Sequence, residues 1–232
     1  MSKTEESLPT TSDTVHIATY KRVLSHLILV VMFSLLGAVL APKVDLVGAF
    51  LFKIMSGQFI YINFQAVINT GLKYGFFCGI GNLIFYYFYL KKKINLDDFM
   101  KIEGHYQRMG AVTRIFYGGF VEEIIFRWGF MTLFIWIGGL IWGDFSNFIL
   151  ISAISISSIL FALVHVPSIK MVGVTPSLHI YTYTLLGNFW VGIFCGLAYW
   201  KQGILASIIV HILFHTIWLP VQYFLWNRVR NN

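Results

Sequence analysis

Two adjacent glutamates and an arginine, Glu122, Glu123 and Arg127, interrupt the apolar run FVEEIIFRWGF from Phe120 to Phe130. An ionisable side chain at the centre of a bilayer costs roughly 3 kcal/mol on insertion scales, so a cluster of them calls for a function. On an α-helix Glu123 and Arg127 share a face, whereas Glu122 points about 100° from its neighbour. The spacing predicts a structural ion pair, Glu123 with Arg127. It leaves Glu122 free for chemistry.

Partners for Glu122 are on offer in the later apolar runs. His211 and His215 are four apart and project from one helical face, and Phe161 stands four before His165, where it can wall a site. Any one of these histidines alone is more often a hydrogen-bonded packing residue, but three of them with an unpaired carboxylate outgrow that explanation. A carboxylate beside imidazoles can hold a water and remove its proton as it attacks a carbonyl, while a histidine donor stabilises the developing oxyanion. That chemistry is amide hydrolysis. Glu122, His165, His211 and His215 could equally ligate a divalent metal such as zinc, with water in the open position. A zincin HExxH is absent, because residue 212 is Ile. The residues leave metal-activated and glutamate-activated water both open.

Membrane helices must position these groups. The chain is 57% hydrophobic and 12% charged with a mean hydropathy of +0.73, against about 25% charged residues in soluble domains, which points to an all-α polytopic helical membrane bundle. The net charge of +7 does not indicate nucleic acid. Its basic residues sit at the ends of apolar runs, at Lys21-Arg22, Lys91-Lys92-Lys93, Lys101 with Arg108, and Arg228 with Arg230, where they read as topology signals beside membrane lipids. Cys78 and Cys195 lack any ligand spacing and read as buried, inert thiols. The polar, acidic start is unlike a cleavable signal peptide. Residues 1 to about 18 are expected as a cytoplasmic tail, and 19–230 as one membrane domain with its catalytic core at about 110–220.

Six spans are expected: Val23 to Ala41, Leu72 to Leu90, Met109 to Ile141, Asn147 to Val166, His179 to Trp200, and Ile204 to Trp226. One or two further embedded pieces between 43 and 70 would raise the count to eight. The lysine triplet and the terminal arginines place both termini in the cytoplasm. Asn95 to Arg108 reads as a surface helix or loop with a solvated His105. The glutamate helix exceeds the roughly 20 residues a span requires, so it should tilt, kink near Gly118-Gly119 or break near Gly138-Gly139. Gly192 and Gly196 permit close helix approach. At 1.5 Å per residue, Glu122 lies ~15 to 20 Å and His165 within ~5 Å of the cytoplasmic ends of their helices, and His211 ~12 Å from an outer end. Straight helices do not bring these residues level. Broken helices around a water-filled cavity open to the cytoplasm would.

The order of GluGluxxxArg at Glu122, Glu123 and Arg127, PhexxxHis at Phe161 and His165, and a glycine-punctuated run ending in His211 resembles the CPBP family of intramembrane proteases, which includes the CAAX prenyl protease Rce1 and the bacterial Abi proteins. The resemblance covers roughly residues 110 to 220. It implies an intramembrane endopeptidase in which Glu122 activates water, Glu123 and Arg127 support the site or orient substrate, and His165 and His211 line the centre. The family pattern has Asn or Asp four residues after the last histidine, where this chain has His215, so an oxyanion contact, a water contact and a metal ligand are all open to that residue. The implied substrate is a peptide or membrane-associated protein, lipidated for some members. Two rivals fit the same residues: a proton-coupled transporter, for which no inverted repeat pairs the halves, and a non-catalytic immunity or scaffold protein on the same fold. The compact length and the absence of a eukaryotic targeting signal favour a prokaryotic inner membrane. Single cysteines placed beside Glu122 are expected to react with a membrane-impermeant thiol reagent added on the cytoplasmic side; protection from both sides would contradict an open cavity.

Overall fold

The computed structural model describes residues 11–44 and 63–230, and among these every regular element is helical. Helix α1, Thr11–Leu40, closes in a 3-10 turn at Ala41–Lys43 that contains Pro42, a residue that cannot continue the backbone ladder. Helix α2, Phe64–Ile84, begins at Asn63, whose side chain accepts the Ala66 N–H, and runs on through a π-helical Phe85–Leu90 to the lysines Lys91–Lys93. Helix α3, Leu96–Met109, is capped by Asn95 and stops at Gly110, whose φ of 74° side-chain-bearing residues avoid. Helix α4, Ala111–Trp142, follows at once. Helix α5 is Asn147–Leu163, a short helix Ser168–Val172 fills the next turn, and α6 is Leu178–Arg230.

Helix α6 is two helices joined at Gly203, where φ is 77° and ψ is −172°. The Ser207 hydroxyl donates to the Cys195 carbonyl at 3.0 Å. The arms 178–202 and 204–230 therefore fold back against each other at the turn expected there.

Among the described residues, four helices are long and apolar enough to cross a membrane: Val23–Lys43, Ala111–Trp142, Asn147–Val172 and Leu178–Arg228. The protein is a multi-pass membrane protein. Helix α2, expected as a span, is not among the four; Asn69, Lys73 and Asn82 lower its hydropathy. The embedded pieces expected between 43 and 70 fall mostly on residues 45–62, outside the described residues, as do residues 1–10 of the expected tail. The backbone is already helical at Thr11.

Three expectations change. Helix α4 does not break at Gly138-Gly139. Its coil widens to i→i+5 hydrogen bonding over Arg114–Glu122 and again over Ile124–Met131, a departure that recurs at functional sites. Helix α3 is not merely a surface helix, because Asp98 and Glu103 on its inner face are buried. Asp98 Oδ1 accepts the Thr175 N–H at 3.0 Å, and Glu103 Oε1 accepts from the Tyr86 hydroxyl at 2.7 Å. Burial holds the Glu103 carboxyl above its ordinary range, against the opposing hydrogen bonds of Tyr86 and Tyr87. His105 is partly buried rather than solvated, and burial followed by the charge of Arg108 lowers its pKa.

Close approach through glycines assembles the bundle. Gly71, Gly75 and Gly79 form a stripe at four-residue spacing on α2, and a Cβ on each would lie 2.6 Å from Ile209, 2.9 Å from Leu213 and 2.8 Å from Ile217 on the second arm of α6. Gly192 and Gly196 do the same for the first arm, against Ser158 and Ile154 of α5. Among apolar helices in lipid, association rests on such packing. Gly75→Val is accordingly expected to separate α2 from α6 and to destabilise the fold by about 1–3 kcal/mol, read as a lowered melting temperature in detergent; an unchanged melting temperature would contradict the packing.

Candidate active site

Glu123 is the hub of the site and is completely buried. Its Oε1 accepts from His211 Nδ1 at 2.7 Å, and its Oε2 accepts a short hydrogen bond from the Ser207 hydroxyl. The ion pair expected from the four-residue spacing is present: Arg127 Nη1 lies 3.3 Å from Glu123 Oε1. That contact is electrostatic rather than an aligned hydrogen bond, since Nη1 and Nε have no hydrogen-bond acceptor among the described residues. Nη2 donates to the Gly192 carbonyl at 3.2 Å, and the guanidinium carbon stands 4.8 Å from the centre of the Phe161 ring, a cation–π contact.

Glu122 points the other way, with its side chain 17% exposed and facing a cavity of about 280 Å³. His165 Nε2 lies 3.9 Å from Oε1 and His211 Nε2 lies 3.7 Å from Oε2. Phe161 walls this space, with its ring centre 4.7 Å from that of His165 and 6.0 Å from that of His211. His215 stacks on His211 at 5.1 Å and also lines the cavity. Asn188 lines it as well and donates to the Thr184 carbonyl at 2.7 Å.

Hydrogen-bond partners assign the tautomers. His165 Nδ1 lies 2.7 Å from the Phe161 carbonyl oxygen, which can only accept, and His211 Nδ1 faces the Glu123 carboxylate. Both Nδ1 atoms therefore carry hydrogen. In the neutral rings each Nε2 is left as a lone pair directed towards Glu122. This set can hold a water by its protons. It also has the donor types of a divalent-metal site, with each ligand histidine anchored through its other nitrogen. A second group, Glu123, Cys195 and His211, brings its candidate donor atoms within 4.8 Å of one another. It does not suit a metal, because both Glu123 oxygens are already engaged and Arg127 adds a positive charge beside them.

The register of the helices explains how residues of unlike calculated depth meet. The Thr132 and Tyr199 hydroxyls are hydrogen-bonded at 2.7 Å, Glu123 meets Ser207, and Arg114 donates to Gln222 at 2.7 Å. The second arm of α6 thus runs antiparallel to α4, and its turn at Gly203 lies near the level of Thr132 rather than at the helix end, Trp142. His211 reaches Glu122 because the α6 hairpin stops short of the end of α4. Gly118 and Gly119 let it come close: a Cβ at Gly118 would lie 2.8 Å from His215 Nε2, and one at Gly119 would lie 2.6 Å from Ile212.

Sequence reasoning missed Ser207 and the Arg114–Gln222 pair. Ser207 precedes His211 by four residues, so helical spacing placed it on the same face, but a serine in an apolar helix carries no distinctive signal.

Residues 106–217 match a family described as type II CAAX prenyl endopeptidase, Rce1-like. The chain carries a domain of this family of proteases. The match includes Glu122, Glu123, Arg127, Phe161, His165, His211 and His215. No curated protein and no solved structure matches the chain. The matched segment thus coincides with α4, α5 and most of α6. In it, removal of Glu123 is expected to leave Arg127 as an uncompensated buried charge, so that Glu123→Ala destabilises by ~3–5 kcal/mol. Ser207→Ala is expected to cost about 1.5–3 kcal/mol. Chemical denaturation in detergent measures both, and equal, small losses would contradict a Glu123-centred hub.

Proposed function

We propose that the protein is an intramembrane endopeptidase that hydrolyses a peptide bond of a membrane-associated protein or peptide, with Glu122 as the water-activating base. The observation that carries the reading is the division of labour between neighbouring carboxylates. Glu123 is spent on Ser207, His211 and Arg127, while Glu122 faces the cavity with two imidazole nitrogens 3.7 and 3.9 Å away. Those gaps are too long for direct hydrogen bonds. A water among them donates one proton to Glu122 and the other to an imidazole Nε2, and its oxygen lone pair is left for the scissile carbonyl.

Attack forms the tetrahedral intermediate as Glu122 takes the proton, and Glu122 then returns it to the leaving amine. His215, which lines the cavity where the family pattern has Asn or Asp, is the residue we assign as donor to the oxyanion. Glu123 and Arg127 hold His211 and Phe161 in place. A second reading rests on the tautomers: Glu122, His165 and His211 have the donor types to hold a divalent metal, with His215 beside them. Such an ion would lower the pKa of its bound water.

The membrane arrangement belongs to the same reading. Helices α1, α2, α4, α5 and both arms of α6 make six passages, with both termini on the cytoplasmic side of a prokaryotic inner membrane. The substrate enters from the lipid or the cytoplasmic face, with or without a lipid modification.

Glu122→Gln is expected to lower cleavage of a membrane-protein substrate library by about 10²–10⁴-fold while leaving elution and melting unchanged. Undiminished cleavage would sink the assignment. Activity is also expected to survive exhaustive dialysis against a chelator; loss that is restored by zinc would select the metal-dependent form.

A further inference from the structure

On the first arm of α6, Asn188 lines the cavity that contains Glu122, His165 and His211. Its Nδ2 lies 2.7 Å from the Thr184 carbonyl oxygen, which can only accept, so the amide has one orientation. That is its one hydrogen bond among the described residues, and it leaves Oδ1 and the second N–H unspent on a side chain that is only partly buried. The asparagine beside it is fully engaged by comparison: Asn82 donates to the Gly187 carbonyl at 3.0 Å and accepts from the Tyr183 hydroxyl at 2.9 Å. Those bonds pin the backbone just before Asn188 to α2. Asn188 is thus held at its backbone and at its amide, with one acceptor and one donor left over.

Two contacts register this arm against the site. The Gly192 carbonyl accepts from Arg127, and the Cys195 carbonyl lies 3.0 Å from the Ser207 hydroxyl that bonds Glu123. Cys195 therefore stands near the level of Glu123. Asn188 precedes it by two helical turns, which puts it on the same face and ~10 Å nearer the start of the arm. A peptide bond must leave its helix or sheet to be cut, and the N–H and C=O groups set free around it need partners where water is scarce. In an extended chain the N–H and C=O of one residue point to the same side. A carboxamide offers an acceptor and a donor side by side, and being neutral it meets that pair without desolvating a charge.

We propose that Asn188 is a substrate-binding residue that reads the main chain: Oδ1 accepts the N–H and the free Nδ2–H donates to the C=O of one extended substrate residue. This rests on the endopeptidase reading and adds how the cavity grips a peptide without regard to its side chains. An extended peptide covers ~10 Å in about three residues at about 3.3–3.6 Å each. The residue that Asn188 holds therefore stands about that many positions from the bond that is cut.

The test is calorimetric titration of Glu122→Gln protein in lipid nanodiscs, with empty nanodiscs as the blank, using the uncharged peptide acetyl-Ala-Leu-Phe-Val-Ser amide. A set of analogues replaces each amino acid in turn by the matching α-hydroxy acid, so that an ester oxygen stands in place of one N–H. One analogue is expected to bind about 5–10-fold more weakly than the parent, the size of one net hydrogen bond. In protein that also carries Asn188→Leu, that analogue and the parent are expected to bind alike. Asn188→Thr can keep a bond to the Thr184 carbonyl but lacks the amide, and is expected to behave in the same way. Melting temperatures show which variants fold, and one folded variant suffices. A purely structural role would weaken the parent and every analogue together. That outcome, analogues that all bind like the parent, a loss that persists in both variants, no binding of the parent, or failure of both variants to fold overturns the role. Those results leave the endopeptidase reading intact if wild-type protein cleaves, whereas a coupled loss without any wild-type cleavage keeps Asn188 as a peptide contact and removes the endopeptidase reading.

Discussion

The rest of the site depends on a carboxylate that has no access to water. Glu123 is entirely buried among membrane helices, and a charge in that position persists only if it is paired and hydrogen-bonded. Arg127 supplies the charge, while Ser207 and His211 supply the hydrogen bonds. These partners come from α4 and the second arm of α6, so satisfying Glu123 also fixes the register between those helices. His211 is thereby held in one tautomer and one orientation, with Nε2 directed at Glu122.

The helices meet this demand by local adjustments rather than by breaking. The widened coil of α4 ends at Glu122 and resumes at Ile124, on either side of Glu123. Gly118 and Gly119 remove the side chains that would hold α6 away, and the glycine stripe on α2 seats the opposite side of α6. The turn at Gly203, well short of the end of α4, places His211 at the depth of Glu122. Chemistry and packing share one interface, in which a fully engaged carboxylate supports a neighbour left facing the cavity.

Much of this was legible in the sequence, for physical reasons. Charges are so costly in an apolar run that Glu122, Glu123 and Arg127 declared themselves, and helical spacing paired Glu123 with Arg127. The breaks between spans at residues 142–146 and 201–203 followed from polar interruptions. Depth did not follow, because counting residues from helix ends assumes that every hairpin reaches the membrane surface, and the α6 hairpin does not. The buried faces of α3 were hidden by its polarity: Asp98 and Glu103 lie inside with one carboxylate oxygen of each hydrogen-bonded by Thr175 and by two tyrosines, partners outside the helix. The glycine stripe at Gly71, Gly75 and Gly79 was readable as small residues at four-residue spacing, but a lone stripe does not say which helix it packs against.

We propose that Glu122, His165 and His211 together hold the attacking water. An experimental structure at a resolution that shows ordered solvent tests it most directly. One water is expected within hydrogen-bond distance of the Glu122 carboxylate and of at least one imidazole Nε2, in a cavity continuous with solvent. A dry gap, or a Glu122 side chain engaged by another protein group and turned away from both histidines, would contradict it.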